Sequence, residues 1–288
     1  MKTDSIITKV AAIHDLSGFG RASLTTVIPV LSTMGIQTCP VPTAVLSTHS
    51  GGFEGYTFKD LTDEIPGYIN HWKKLGLSFN CIYSGFLGSA KQIAIVMDMI
   101  KSFRTEDNLV VIDPVLGDNE ALYSSISKDM VPEMRKLIAF ADIITPNFTE
   151  AKILLDTKEL PSIATGKKWL KELSNMGPNT VIITSFPGND DSLNTIAYDK
   201  ENEEYWIVPT KLLPVNYPGT GDLFTSVLIG CMMNGENLPI STAIASKFVY
   251  ECIETSSKFD YPRRDGVLLE QMLPELRKPF VDLVYNKI

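Results

Sequence analysis

The sequence predicts an α/β fold in which a doubly wound, mostly parallel central sheet is flanked by helices and extended by a small antiparallel hairpin. Three observations support this class. Short β-branched runs recur along the chain, segments of helical periodicity separate them, and two adjacent strand-like runs follow late in the sequence. Because strand and helix alternate, the strands are expected to lie parallel, with helices covering both faces of the sheet.

Five short apolar runs end in turn or polar residues, which is typical of strands buried on both faces. They are residues 10–13, 81–83, 109–112, 143–144 and 180–183. Four segments between these runs repeat apolar side chains at helical spacing and are predicted to be helices. They are residues 90–103, 131–140, 150–156 and 166–176.

Near residue 193 the alternation of strands and helices stops, and two strand-like runs follow each other. Residues 193–198 and 204–208, joined by a polar turn, are predicted to form an antiparallel hairpin. An irregular stretch follows at residues 209–218, and a long apolar segment at residues 223–233 suits a core helix. No internal repeat, low-complexity tract or Gly-, Ser- or Pro-rich linker divides the sequence. We therefore expect one domain over residues 1–288.

Composition excludes several classes of function. The formal net charge is -8 with a pI near 5.0, and the basic residues are scattered, which argues against nucleic acid as a partner. The four cysteines are widely spaced, which argues against a zinc site or a disulfide framework. No run approaches the ~18 apolar residues of a membrane span, so we expect no membrane partner and a cytoplasmic location.

The motif Gly219-Thr220-Gly221-Asp222 is the most informative point in the chain. Its glycines let the backbone approach a ligand closely, and the following helix directs free N–H groups at that ligand, so the turn predicts an anion hole. Asp222, in the first turn of that helix, is suited to accept a proton from a hydroxyl that attacks phosphorus. The alternative is that Asp222 only caps a core helix.

Two acidic motifs follow predicted strands, where ligands bind in parallel α/β sheets. They are Asp113-Pro114-Val115-Leu116-Gly117-Asp118 and Thr145-Pro146-Asn147-Phe148-Thr149-Glu150. Magnesium on a nucleotide keeps several waters and uses one or two carboxylates, so Asp113, Asp118 and Glu150 would be sufficient to position it. The alternative is turn and N-cap chemistry, above all for Asn147.

The order of these motifs, with Thr184-Ser185 between the last two, resembles the ribokinase-like superfamily, and more closely its vitamin B6 and hydroxymethylpyrimidine kinases. The resemblance spans nearly the whole chain. It implies that Asp222 is the catalytic base, that residues 219–221 form the anion hole, and that Asn147 and Glu150 position magnesium and phosphate. It also implies that Asp113 and Asp118 are cation-site acids. Thr184 and Ser185 would touch nucleotide phosphates, unless they only begin a turn.

The acceptor pocket is expected in the N-terminal third, where residues 13–20 and 46–52 form polar, glycine-containing strand exits. The resemblance implies Asp15 or Ser17 near a pyridine ring and His49 and Ser50 near its substituents, although His49 could equally be a loop histidine with satisfied hydrogen bonds.

Two comparisons with relatives bear on the acceptor. Phe86 stands where many relatives carry a Tyr that stacks on the substrate ring, so stacking would survive and a hydroxyl contact would be lost. Some relatives carry a reactive Cys before the Gly-Thr-Gly-Asp turn. This chain has residues 215–218, Val-Asn-Tyr-Pro, in that place, which predicts no covalent hemithioacetal.

Taken together, the residues and the resemblance predict an ATP- and Mg²⁺-dependent kinase. Its expected acceptor is the 5′-hydroxymethyl group of pyridoxal, pyridoxine or pyridoxamine, with hydroxymethylpyrimidine or its phosphate as the alternative. A monovalent cation such as K⁺ and a homodimer are further expectations, with residues 51–68 as edge contacts or a lid. A different class stays open, a non-catalytic vitamer- or nucleotide-binding protein. A nicotinamide-dependent reductase is disfavoured because Ser23 breaks the glycine fingerprint.

Overall fold

The computed structural model describes residues 7–188 and 192–288. Its strands are β1 (Lys9–Phe19), β2 (Gln37–Thr48), β3 (Phe58–Asp60), β4 (Cys81–Ser84), β5 (Leu109–Ile112), β6 (Gly117–Asp118), β7 (Ala121–Leu122), β8 (Ile143–Ile144), β9 (Thr180–Pro187), β10 (Ser192–Asp199), β11 (Glu204–Lys211) and β12 (Asn286–Lys287). Its α-helices are α1 (Leu24–Thr33), α2 (Ile65–Lys74), α3 (Ala90–Phe103), α4 (Met130–Ile138), α5 (Phe148–Leu155), α6 (Ile163–Ser174), α7 (Thr220–Met233), α8 (Leu238–Ser257) and α9 (Leu269–Met272). Two short 3-10 helices, Arg263–Asp265 and Leu273–Arg277, flank α9.

A ten-stranded sheet forms the centre of the described chain, in the order β12-β11-β10-β9-β8-β5-β4-β1-β2-β3. The strands from β9 to β2 in this order pair in parallel. The hairpin β10–β11, the short β12 and the edge strand β3 pair antiparallel. The predicted fold class, a mostly parallel α/β sheet with a small antiparallel hairpin, is confirmed.

Apolar side chains cover both faces of the sheet, as expected where helices pack on each side. Alternate residues of β1 show this directly, because successive side chains of a strand point to opposite faces. Ala11 and Ile13 belong to the apolar cluster that contains α3, α4 and α6 side chains, whereas Val10 and Ala12 belong to the cluster built with α1, α7 and α8. The sheet is therefore doubly wound.

The predicted strands and helices are all present, but most of their boundaries differ from the prediction, and several further elements were not predicted. Strand β1 continues to Phe19, so residues 13–19 lie inside the strand rather than after it. The reason is local pairing: β1 bonds to β2 as far as Thr48, and its polar side chains bond to one another. Strand β11 extends to Lys211, which shortens the irregular stretch expected at residues 209–218.

Helices α1, α2 and α8 and strands β2 and β3 were not predicted. Residues 51–68, which were expected to supply edge contacts or a lid, contain strand β3 and the beginning of α2. None of the helices in the described part of the chain combines the length and apolar character that crossing a bilayer requires. The cysteines are free thiols, of which Cys81, Cys231 and Cys252 are buried. The ten-stranded sheet contains both β1, which begins at Lys9, and β12, which ends at Lys287. A single domain over residues 1–288 stays a prediction.

Candidate active site

One open cavity of about 1260 Å³ lies at the carboxyl ends of the parallel strands, where open α/β sheets bind ligands. With one exception, every residue predicted for the site lines this cavity. Those residues are Asp15, His49, Ser50, Phe86, Asp113, Asp118, Asn147, Glu150, Thr184, Ser185, Gly219, Thr220, Gly221 and Asp222. The exception is Ser17, which is fully buried and does not line the cavity.

The glycine turn that was predicted to be an anion hole lies at the start of α7. Gly219 is the N-cap, with φ 78°, a left-handed conformation that L side chains rarely adopt. A Cβ at this position would lie 2.1 Å from the carbonyl oxygen of Arg21, so only glycine fits here without a shift of the backbone. The first N–H groups of α7 have no partners within the helix and lie at the cavity wall, where they could hold an anion.

Asp222 lies in the first turn of α7 and is held from outside the helix. Its Oδ2 accepts a 2.8 Å hydrogen bond from the backbone N–H of Ser23, and its Oδ1 lies 3.6 Å from Nδ1 of His14. The Asp222 side chain is 13% exposed, so most of it is buried in the cavity wall and only a small part is open to solvent. Its hydrogen bond runs to the N-cap of α1, whereas a capping Asp would bond to the N-terminal amides of α7 itself.

Asn147 and Glu150 form a capping box at the start of α5. Asn147 Oδ1 accepts from the Glu150 N–H at 2.9 Å, and Glu150 Oε2 accepts from the Asn147 N–H at 2.8 Å. Glu150 Oε1 also accepts from the N–H groups of Leu116, at 3.1 Å, and Gly117. The N-cap alternative is therefore present in the structure, and the box ties the two acidic motifs together.

Burial dominates the electrostatics of the acidic wall. It raises the pKa of Glu150 to about 8, against the three backbone N–H groups that the carboxylate accepts from. It also raises the pKa of Asp113 well above its ordinary value, and the neighbouring Glu150 and Asp222 carboxylates add to that rise. Asp118 is half-buried and accepts from the N–H of Asn119 at 2.7 Å. Crowded buried carboxylates of like charge are relieved by a bound cation.

The donor set at this wall fits Mg²⁺, which prefers carboxylate oxygen and keeps some of its waters. Among residues 7–188 and 192–288, no three His, Cys, Asp or Glu side chains converge closely enough to hold a metal by themselves. Asp113 lies close to the glycine turn, because its Oδ2 is 3.7 Å from where a Gly221 Cβ would stand. A metal here would therefore share its coordination with phosphate oxygens and water.

On the opposite side of Asp222, Asp15 lines the cavity from β1. Its Oδ1 accepts from the Ser23 hydroxyl at 2.5 Å and its Oδ2 from the Ser17 hydroxyl at 3.0 Å. Burial raises the pKa of Asp15, and the nearby Asp222 carboxylate contributes to the rise. Of the two candidates for a ring contact, the structure places Asp15 at the cavity and Ser17 behind it, as a residue that orients Asp15.

His49 lines the cavity, but both of its ring nitrogens are already engaged. Nδ1 accepts from the N–H of Gly51 at 3.1 Å, so Nε2 carries the proton and donates to the carbonyl of Arg264 at 2.7 Å. The ring also packs edge-on against Phe53, with centroids 5.0 Å apart. These contacts favour the loop-histidine alternative. Its exposed neighbour Ser50 lines the cavity.

Phe86 is half-buried at the cavity wall and packs against the apolar core, a placement suited to stacking on a flat ring.

Thr184 and Ser185 line the cavity from within β9, which continues to Pro187, so they do not begin a turn. Ser185 has φ 54°. Thr184 pairs in parallel with Asn147, which joins the candidate phosphate contacts to the capping box.

Two residues of the site were missed from the sequence, Ser23 and His14. Ser23 holds both Asp222, through its N–H, and Asp15, through its hydroxyl. His14 is fully buried beside Asp222. In the sequence, His14 is marked only by its place in a polar stretch directly after the apolar run 10–13. Nothing in the sequence indicates that Ser23 lies next to a residue 199 positions away.

The sequence and the fold are similar to those of known proteins. Residues 25–265 match the sequence profile of the phosphomethylpyrimidine kinase family. A candidate phosphomethylpyrimidine kinase of Bacteroides thetaiotaomicron, solved in a crystal form with pyridoxal, is 49% identical, with a TM-score of 0.94 over 98% of this chain and 100% of that chain. Pyridoxal kinase of Lactobacillus plantarum is 30% identical, with a TM-score of 0.85 over 94% of this chain and 97% of that chain.

Pyridoxal kinase of Dictyostelium discoideum is 30% identical over 77% of this chain and 77% of its own length. The match to another curated relative, from Schizosaccharomyces pombe, covers 65% of that protein's length. The fold and these matches make the chain a kinase of ribokinase-like architecture. The chain belongs to the phosphomethylpyrimidine kinase family, and its relatives include pyridoxal kinases.

Proposed function

We propose that this kinase transfers the γ-phosphoryl group of ATP to the 5′-hydroxymethyl group of a B6 vitamer, pyridoxal, pyridoxine or pyridoxamine. The single observation that carries the proposal is the position of Asp222. Its carboxylate stands at the start of α7 beside the glycine turn 219–221, within the same cavity as Asp113, Asn147 and Thr184. A carboxylate so placed has an acceptor hydroxyl within its reach and phosphate-binding amides at its side.

In this mechanism Asp222 accepts the hydroxymethyl proton as that oxygen forms its bond to the γ-phosphorus, and the bond to the β-phosphate oxygen breaks to release ADP. The free N–H groups at the start of α7 stabilise the charge on the transferred phosphoryl oxygens. Mg²⁺, when bound near Asp113 and Asp118, supplies electrostatic neutralisation of the phosphates. Thr184 and Ser185 hold the nucleotide phosphates, and Asp15 and Phe86 orient the acceptor ring.

Hydroxymethylpyrimidine, or its phosphate, is the second candidate acceptor. The matching family profile supports it, since that profile is the one of phosphomethylpyrimidine kinases. The B6 vitamer is preferred because the 49% identical Bacteroides protein was crystallised with pyridoxal. Both acceptors are flat heteroaromatic rings with a primary alcohol, so Phe86 could stack on either.

A substrate panel tests the proposal. The purified chain is given ATP and Mg²⁺ with pyridoxal, pyridoxine, pyridoxamine, hydroxymethylpyrimidine or its phosphate, and ADP release is followed for each. We expect the highest kcat/KM with a B6 vitamer and loss of turnover when EDTA removes the metal. A preference for the pyrimidine alcohols would move the assignment to the second candidate. Tight vitamer binding without turnover at any metal concentration would instead identify a non-catalytic binding protein.

Several further statements stay predictions from the sequence: a homodimer, a cytoplasmic location, a monovalent-cation requirement and the absence of a hemithioacetal. The residues at 215–218 that replace the reactive Cys of some relatives line the cavity, which supports the last of these.

A further inference from the structure

His14 has an unusual environment for a histidine. It lies in β1, its side chain is completely buried, and neither ring nitrogen has a hydrogen-bond partner among the described residues. The ring meets Tyr83 edge-on, with centroids 4.4 Å apart. A buried polar group without a partner is costly and rare in native proteins, so the position of this ring calls for an explanation.

The space for the ring is specifically provided. A Cβ on Gly85 would stand 2.2 Å from Cε1 of His14, so only glycine at position 85 leaves room for the imidazole. The pairing of β1 with β2 also changes register between His14 and Leu16, a bulge at the point where the strand meets the site. Bulges of this kind redirect side chains next to functional sites.

The nearest acidic atom to this ring is part of the proposed catalytic base. Nδ1 of His14 lies 3.6 Å from Oδ1 of Asp222, just beyond hydrogen-bond distance, whereas Oδ2 of the same carboxylate accepts from Ser23 at 2.8 Å. One carboxylate oxygen is thus already fixed, and the other faces a buried ring nitrogen that has no hydrogen-bond partner among the described residues. A shift of a few tenths of an ångström would complete the second bond.

We propose that His14 is a positioning residue for Asp222, with its Nδ1–H donating to Oδ1 when the acceptor is bound. Together with the Ser23 N–H, this bond holds the plane of the carboxylate, while the remaining lone pairs of Asp222 stay available for the substrate hydroxyl. His14 does not touch the substrate. The inference rests on the proposed role of Asp222 and adds a residue that orients it.

Matched substitutions test the idea. His14→Leu removes the donor and keeps an apolar side chain in the space, while His14→Asn keeps a donor near the position of Nδ1. We expect His14→Leu to lower kcat by about 10- to 100-fold, as when a partner that orients a functional group is removed, with KM for pyridoxal and ATP within about twofold of native. His14→Asn should recover most of the loss. His71→Leu, at an exposed position on α2, is the matched control and should leave both constants unchanged.

Equal losses in His14→Leu and His14→Asn, or a native kcat in His14→Leu, would overturn the proposal. In an Asp222→Asn background, His14→Leu should cause no additional loss, because the group that it positions is already absent.

A spectroscopic measurement keeps the test independent of kinase activity and of the folding of the His14 variants. The chain has three histidines, so long-range ¹H–¹⁵N spectra can resolve the tautomer of each ring. With pyridoxal bound, we expect the proton of His14 on Nδ1, opposite to the Nε2–H of His49, and a shift of the His14 signal on Asp222→Asn. A proton on Nε2 of His14 that is insensitive to this substitution would refute the contact. If the substrate panel shows no turnover at all, the proposed function fails while this measurement still decides the role of His14.

Discussion

The backbone N–H of Ser23 donates to Oδ2 of Asp222 at 2.8 Å, and the hydroxyl of the same serine donates to Oδ1 of Asp15. Ser23 is the N-cap of α1 and has φ 52°, in the left-handed region that non-glycine residues rarely adopt. The two hydrogen bonds hold it there. One residue thereby links the carboxylate of the proposed base to the carboxylate of Asp15, which is proposed to orient the acceptor.

Replacing Asp222 by Asn should remove the proton acceptor and leave the geometry in place, because the amide oxygen can still accept from the Ser23 N–H. We expect kcat to fall by about 10²- to 10⁴-fold, the usual contribution of a positioned general base, while pyridoxal and ATP still bind. ADP release and calorimetric binding measure the two effects. Asp107→Asn, at an exposed position, is the control. Turnover by Asp222→Asn at the native rate would show that another group takes the proton.

Gly219→Ala should damage both the fold and the anion hole. The new Cβ would lie 2.1 Å from the Arg21 carbonyl oxygen and 3.0 Å from Cα of Ala22, at φ 78°. Gly235→Ala is a matched control, since Gly235 has φ 94° with nothing within 4 Å of a Cβ. We expect the control to lose about 1 kcal/mol of unfolding free energy and Gly219→Ala to lose about 2–4 kcal/mol, together with kcat. Equal losses in denaturant titrations would mean that the Arg21 contact relaxes freely.

Asp15→Asn should change how stability depends on pH. Burial raises the pKa of Asp15 in the folded state above its ordinary 3.8, so over the window that begins there the native state binds more protons than the unfolded state. The free energy of unfolding attributable to Asp15 is therefore present at low pH and falls as pH rises through the folded-state pKa. We expect native protein to lose stability relative to Asp15→Asn as pH rises from 3.8 through the raised folded-state pKa of Asp15. A difference that is constant or grows with pH would contradict this.

Phe86 substitutions test the acceptor ring contact. Phe86→Ala removes the ring that lines the cavity and should raise KM for pyridoxal by about 3- to 10-fold with a smaller effect on kcat, the scale of one aromatic contact. Phe86→Tyr keeps the ring and should stay close to native. If both variants behaved like the native chain, the acceptor would lie elsewhere in the cavity.

The elements predicted best are those in which local and tertiary preferences agree. Strand β5 and helix α3 have the predicted boundaries. The continuous apolar run of β5 suits a strand that is covered on both faces, and the regular apolar spacing of α3 suits a helix that packs one face on the sheet. Helices α1, α2 and α8 were missed, and β1 was predicted too short. In β1 the polar residues His14, Asp15 and Ser17 resemble a loop in sequence, but they remain in the strand because β1 pairs with β2 as far as Thr48 and Asp15 accepts from the hydroxyls of Ser17 and Ser23.

Sequence alone determined the alternating α/β architecture, the glycine turn before Asp222 and the acidic motifs at the strand ends, since each is a local pattern of spacing and residue type. Only the tertiary structure decided how these parts meet. It placed Ser17 behind Asp15, engaged both nitrogens of His49 with the backbone of Gly51 and Arg264, and brought Ser23 and His14 to the two oxygens of Asp222. Such contacts join residues far apart in the chain, and their geometry depends on how the strands and helices pack, which no local pattern encodes.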